Sequence, residues 1–268
     1  HAGLILPRLA PGGRYVGVDL DPANIAYVSD ALSGRSVRFD AVHASFTDAA
    51  QVLADLGIDK TDLLLADLGF ASNQMDDPQR GFSFTHDGPL DMRLDPTAAT
   101  TAADLLNELP QDELADLIYQ FGEERLSRPI SRKIVEARRI APMKSTRQLA
   151  ELCVSAYGPR GRRQKIHPAT RTFMALRIAV NDELAKLDQL LDLLPRIVNP
   201  GGRAAIISFH SLEDRAVKHT FREWAKQGLV DVLTKKPLIA DDVERTANPR
   251  SRSAKLRAIR LQPDGANA

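Results

Sequence analysis

Several things are scarce in this sequence. Its 268 residues include one cysteine, Cys153, one tryptophan and only 5% aromatic residues. A single cysteine excludes a disulfide scaffold and a multi-cysteine zinc site, and it fits a reducing compartment. No apolar run approaches the ~20 residues that span a bilayer, which excludes a transmembrane chain. No basic segment with an apolar core precedes a cleavage site, so no signal peptide is visible and a cytoplasmic location is expected. Repeats and low-complexity tracts are missing, and no metal-ligand spacing stands out. Net charge is almost absent, with 36 Lys+Arg against 35 Asp+Glu. The 43% hydrophobic and 26% charged residues give an ordinary globular composition. The length suits one large domain, or one domain with a small companion.

The near-zero charge conceals segregation. Residues 1–100 carry a net −7 and residues 101–124 another −7, whereas 125–177 carry +12 and 178–268 carry +3. A block of 53 residues with 14 bases and 2 acids points to a surface for a polyanion, with nucleic acid the leading candidate.

The apolar pattern alternates at first. Residues 2–9 read as the end of a helix stopped by Pro11-Gly12-Gly13. Arg14–Leu20 is a buried strand, Asp21-Pro22 opens a helix to about Leu32, Val37–Ala44 is a strand, Thr47–Leu56 a helix and Asp62–Leu68 a strand. Such alternation predicts an α/β layer with parallel strands. Residues 69–96 then look irregular, 102–157 read as several helices, and 158–170 form a basic linker. One long amphipathic helix is expected over 171–194, with Phe173, Leu176, Val180, Leu184, Leu187, Leu191 and Leu194 on its apolar stripe. Strand 204–209, helix 211–227 and strands 229–234 and 255–261 follow, the last two suited to a terminal antiparallel hairpin. The expected architecture is a doubly wound α/β domain, 1–100 with 171–268, carrying a helical insertion at 101–170.

In doubly wound folds ligands sit beyond the carboxyl ends of the strands. Three strand ends here carry suitable groups. Asp19 can accept both hydroxyl hydrogens of an adenosine ribose, while Asp21 reads as a helix cap. Phe46 can stack on an adenine or simply pack. Asp67, beside Leu68-Gly69, suits close approach of a ligand. The pattern fits a nicotinamide dinucleotide or S-adenosylmethionine.

Four segments carry a resemblance. They are DLGFASNQMDDPQRGFSFTHDGPLDMRLD from Asp67, YQFGEER from Tyr119, HPATRTFMALRIAVNDEL from His167 and PGGRAAIISFHSLEDRAVK from Pro200. Together, in order and over nearly the whole chain, they resemble the bacterial MraW (RsmH) family. That family comprises S-adenosylmethionine-dependent cytosine-N4 methyltransferases of 16S ribosomal RNA. The resemblance implies a Rossmann-like class I methyltransferase fold whose first strand and glycine-rich loop are missing from this sequence. His1 then corresponds to the end of a Gly-Gly-His loop, and weak cofactor binding is expected of a chain that starts there. The resemblance further implies S-adenosylmethionine held by His1, Asp19, Phe46, Asp67 and Gln74. Asn73 and Met174 stand where the family commonly has Pro and Gln.

The implied reaction moves a methyl group to the exocyclic amine of a decoding-region cytosine. That amine is a poor nucleophile, so the site should accept its hydrogens and hold it close to the methyl. Asp67 ranks first as acceptor, with Asp91 and Asn181 as further candidates. His210 follows Ser208 and Phe209 at a strand end, where they can line a base pocket or serve structure alone. Arg160, Arg162, Arg163, Lys165 and Arg171 are the expected RNA contacts, with Arg80 and Arg93 at flanking phosphates. Phe82 and Phe84 can stack on an unstacked base or pack beneath the loop. The expected partner is 16S rRNA or the small ribosomal subunit, and a homodimer stays open. Two rivals remain. One is a non-catalytic RNA-binding or ribosome-assembly protein on the same fold, and the other is a nucleotide-dependent dehydrogenase.

Overall fold

The computed structural model describes residues 1–9, 11–32, 38–159, 164 and 166–263. The chain divides into two units, His1–Gly69 with Leu184–Ala268, and Phe70–Glu183.

The first unit begins with helix α1 (Ala2–Ile5) and strand β1 (Arg14–Asp19). Helix α2 (Pro22–Leu32) has proline at its first position, where its fixed φ fits and its missing N–H is no loss. Buried Asp21 precedes it and accepts from Ala23 N at 2.9 Å, as a cap should. Strand β2 (Arg38–His43) runs parallel to β1 in register Arg14↔Arg38 to Asp19↔His43. Helix α3 (Ala49–Asp55) and strand β3 (Thr61–Asp67) complete this run.

The second unit holds helices α4 (Ser72–Asp76), α5 (Ala102–Glu108), α6 (Gln111–Gly122), α7 (Ser127–Arg138), α8 (Thr146–Tyr157) and α9 (Thr170–Asn181). Its core joins Leu106, Leu114, Ile118, Ile130, Ile134, Leu149, Cys153 and Leu176. Burial pushes the Cys153 thiol up to about 12, so the one cysteine packs and does not react. Gly122 belongs to α6 because a Cβ there would stand 2.6 Å from the Arg171 carbonyl oxygen of α9.

Helix α10 (Glu183–Ile197) leads back to the first unit, followed by β4 (Val198–Ser208), α11 (Ser211–Lys226), β5 (Val230–Val232), β6 (Leu238–Ile239), α12 (Asp242–Ala247) and β7 (Lys255–Leu261). Strand β3 pairs parallel with β4, and β7 lies antiparallel to β4, β5 and β6. Leu187, Leu191, Leu194, Ile206, Phe221 and Ile259 fill this unit's core. No helix among the described residues is long and apolar enough to cross a membrane.

Two expectations need correction. The parallel strands do not form one sheet: β1 and β2 make a two-stranded sheet of their own, and β3 starts a separate five-stranded one. Strand β1 is accordingly half-buried rather than buried, and Leu63 and Leu65 of β3 are exposed. The expected helix 171–194 is two helices, broken at Asp182, whose φ of +52° is left-handed. The apolar period runs unbroken across that residue, so periodicity alone cannot show that Phe173 and Leu176 serve one core and Leu187 and Leu191 another.

Candidate functional site

In the first unit the polar groups gather at carboxyl ends of parallel strands. Asp19 ends β1; its Oδ1 accepts from Asp21 N at 2.8 Å and its Oδ2 from Asn24 Nδ2 at 3.2 Å. A carboxylate offers about four acceptor positions, so two remain. Across the ladder His43 ends β2 and bonds the Leu20 carbonyl at 2.9 Å, which ties the two strand ends together. Half-buried Phe46 follows on a 3-10 turn, Phe46–Asp48, capped by Ser45.

Asp67 ends β3 opposite Ile207 of β4, and Leu68 N donates to the Ile207 carbonyl at 3.0 Å. Gly69 comes next with φ +93°, a left-handed turn that lets the chain leave the strand abruptly. His1 Nε2 lies 2.9 Å from Asp67 Oδ2. Burial raises the Asp67 pKa, a smaller pull down comes from the amino group of residue 1, and the Glu213 carboxylate pushes it up again.

His210 follows β4 and caps α11, its Nδ1 accepting from Glu213 N at 3.4 Å. Its Nε2 is 3.2 Å from Glu213 Oε1 at an angle that makes no hydrogen bond, and among the described residues it has no partner. Glu213 in turn accepts from Phe209 N at 2.8 Å and His210 N at 3.3 Å. The side chain expected at the base is therefore engaged in shaping the β4–α11 turn.

The second unit holds the remaining candidates. Gln74 is buried at the start of α4 and accepts from Ala71 N at 2.8 Å. Asp91 and Arg93 form a two-pronged pair at 3.0 and 2.7 Å, and Arg93 also donates to the Ala98 carbonyl at 2.6 Å. Arg80 donates to the carbonyls of Arg93 and Leu94 at 3.0 and 2.9 Å. Both arginines expected at phosphates thus bind their own loop. Asn181 accepts from Leu94 N at 2.7 Å and donates to the carbonyls of Met92 and Arg177 at 2.8 Å each. Phe82 is buried, stacked on Phe70 at 5.1 Å, whereas Phe84 is only half-buried. Arg171 is exposed, donating to the Glu123 carbonyl at 3.3 Å. Arg160, Arg162, Arg163 and Lys165 lie outside the described residues.

Comparison with known proteins decides the family. The model of the MraW methylase family matches residues 1–262. The chain belongs to the MraW methylase family. Curated relatives named Ribosomal RNA small subunit methyltransferase H include those of Geobacter sulfurreducens, 46% identical over 96% of this chain and 88% of the relative, and Acidobacterium capsulatum, 47% identical over 96% and 87%. That of Sorangium cellulosum is 48% identical over 97% of this chain and 81% of its own.

In this MraW-family chain the charge count alone leaves a set of exposed bases unnamed. Arg125, Arg128, Arg132, Arg139, Lys144 and Arg147 are all exposed. Two of them, Arg128 and Arg132, sit one turn apart on α7, so helical spacing could have found them. Glu124 anchors this surface from beneath: it is buried, accepts from Leu126 N at 2.8 Å and from Tyr157 OH at 2.7 Å.

Acid should loosen both units. Burial alone would raise Asp91, but the hydrogen bonds from Arg93 outweigh it and hold the carboxyl below its usual range. Asp214 is held low in the same way, by Arg257 and Lys255 against burial. Depressed carboxylates stabilise the fold fully above their unfolded pKa, about 3.9. That contribution is lost as pH falls through the lower folded value. The melting temperature should therefore drop below about pH 4, and Asp214→Asn should flatten the drop. An equal slope in the variant would assign the acid sensitivity elsewhere.

Proposed function

We propose that this protein uses S-adenosylmethionine to methylate the N4 amine of a cytosine in the decoding region of 16S ribosomal RNA. The supporting observation is the set of strand ends: Asp19 and Asp67 end β1 and β3, and Phe46 follows β2, each in a parallel pair, in a chain whose curated relatives are named for ribosomal RNA methylation. These residues fit the cofactor by their chemistry. Asp19 retains acceptor capacity for ribose hydroxyls, Phe46 offers a half-buried ring for adenine, and the left-handed Gly69 brings backbone close behind Asp67. His1 and Gln74 complete the assigned set.

S-adenosylmethionine supplies an electrophilic methyl on a sulfonium. The protein's part is to orient the amine, accept its hydrogens and exclude water. Asp67 is the acceptor in this reading; His210 holds the β4–α11 turn of the same unit, and Asp91 and Asn181 hold the loop of the helical unit. The rRNA lies against the exposed bases of the helical unit, Arg171 among them, and Arg160, Arg162, Arg163 and Lys165 are assigned to the same contact by their charge.

The test is methyl transfer from labelled S-adenosylmethionine to small ribosomal subunits, with the product nucleoside identified. N4-methylcytidine is expected. Asp19→Ala should raise the cofactor KM about tenfold, the loss of one to two charge-assisted hydrogen bonds, with kcat little changed. A protein that binds subunits but transfers no methyl would favour the assembly-factor reading instead.

A further inference from the structure

The helical unit contains a groove of about 810 Å³ that no residue of the proposed methyl-transfer site lines. Its apolar wall is Phe84, Ala150 and Val154; Arg147, Glu151 and His167 supply polar groups. Phe84 and His167 stack with ring centroids 4.5 Å apart, and Phe173 supports Phe84 edge-on at 4.9 Å. His167 Nδ1 accepts from Ala169 N at 3.2 Å, which fixes the ring and leaves Nε2 as its donor. Arg147 is exposed at the rim, with Asp87 3.9 Å away. Exposed Glu151 has no hydrogen-bond partner among the described residues.

We propose that this groove binds a second base of the RNA strand, distinct from the methylated one, and that it prefers a base carrying an exocyclic amino group. The inference rests on the rRNA reading above and adds a site to it. Flat aromatic rings at an open apolar wall continue as a stack onto any base, because every base has a π-face. The surrounding charge selects the strand that brings the base: Arg147 and Lys144 stand exposed at and before the start of α8, within a block of net +12. An apolar peptide would gain nothing from those cations, whereas a phosphate backbone would. Glu151 then sets the preference. A carboxylate accepts well from the N4 amine of cytosine or the N6 amine of adenine. The only edge donor of uracil is flanked by two carbonyl oxygens, which a carboxylate repels.

The experiment measures fluorescence anisotropy of labelled single-stranded oligocytidine and oligouridine with the full chain at two salt concentrations. The unchanged protein should bind both with salt-sensitive affinity, and oligocytidine more tightly. Removing a negative charge beside RNA would ordinarily strengthen binding to every sequence. Glu151→Ala, exposed on a helix, should instead weaken oligocytidine about tenfold and leave oligouridine equal or tighter. Phe84→Leu, which keeps an apolar residue in the core, should weaken both roughly fivefold or more. If Glu151→Ala strengthens both equally, or Phe84→Leu changes neither, the groove is not a base site while RNA binding stands. If the unchanged protein binds neither oligonucleotide at any salt, the rRNA reading fails and the groove proposal with it.

Discussion

Asp67→Asn should lower single-turnover methyl transfer about 10²–10⁴-fold, the usual range for a lost proton acceptor, while the melting temperature holds or rises. Asparagine keeps the shape of the side chain and removes the charge. The substrate amine gains positive character as it takes the methyl, so a carboxylate facing it is favoured more in the transition state than before it. Asparagine offers only a neutral oxygen. The stability half of the prediction follows from the pKa direction. Burial raises Asp67 above the ordinary carboxylate range. A carboxyl whose folded pKa is raised contributes stability below its unfolded pKa, about 3.9, and that contribution is lost as pH rises through the folded value. At neutral pH the ionised group therefore strains the fold, and removing its charge relieves it. The His1 contact at 2.9 Å offsets part of that strain. The rate should also fall with acidity sooner than an ordinary carboxylate allows, because transfer needs the ionised form. Loss of activity together with a large drop in melting temperature would give Asp67 a structural role instead.

Much of this site is legible in the sequence because strand ends are legible. Asp19 and Asp67 each close a short apolar run rich in β-formers, and each then ends a strand that pairs in parallel with its own neighbour, β1 with β2 and β3 with β4. Asp21 is recognisable as a cap because proline follows it. What the sequence does not carry is the direction of each polar side chain. Arg80 and Arg93 are cations in a glycine-rich loop, and sequence alone cannot separate a phosphate contact from a carbonyl contact within that loop. His210 looks like a pocket residue and caps a helix instead, since a residue between a strand and a helix can serve either use. The pairing edges are similarly hidden. Residues 62–68 read as a strand with neighbours, and only the three-dimensional ladder shows that among the described residues β3 pairs with β4 alone. Phe82 and Phe84 are two residues apart and chemically identical; one is buried on Phe70, the other lines an open groove.

Asn181→Ala should destabilise the helical unit by about 2 kcal/mol or more, from two backbone groups left unpaired at about 1–3 kcal/mol each. Two backbone groups of the loop lose their partner at once, Leu94 N and the Met92 carbonyl, while the Arg177 carbonyl falls back on its bond within α9. Just before these two loop groups the chain is already under tension. Met92 is buried and left-handed, with φ +61°. An unbranched non-glycine residue in that region costs on the order of 1–3 kcal/mol and persists only where neighbours over-determine it. Asn181 holds the loop at the Met92 carbonyl and again two residues on at Leu94 N, and Arg80 reinforces it through the carbonyls of Arg93 and Leu94. Asn181→Asp is no remedy: its carboxylate could accept from Leu94 N but would face the Met92 carbonyl with no hydrogen to offer. Both variants should lower the denaturant midpoint and speed hydrogen exchange at the Leu94 amide. The alternative, a side chain that touches the substrate base, makes the opposite forecast: kcat falls while the midpoint and the Leu94 exchange rate stay put. With its three hydrogen bonds all directed at backbone, Asn181 holds the loop that carries Asp91 and Arg93.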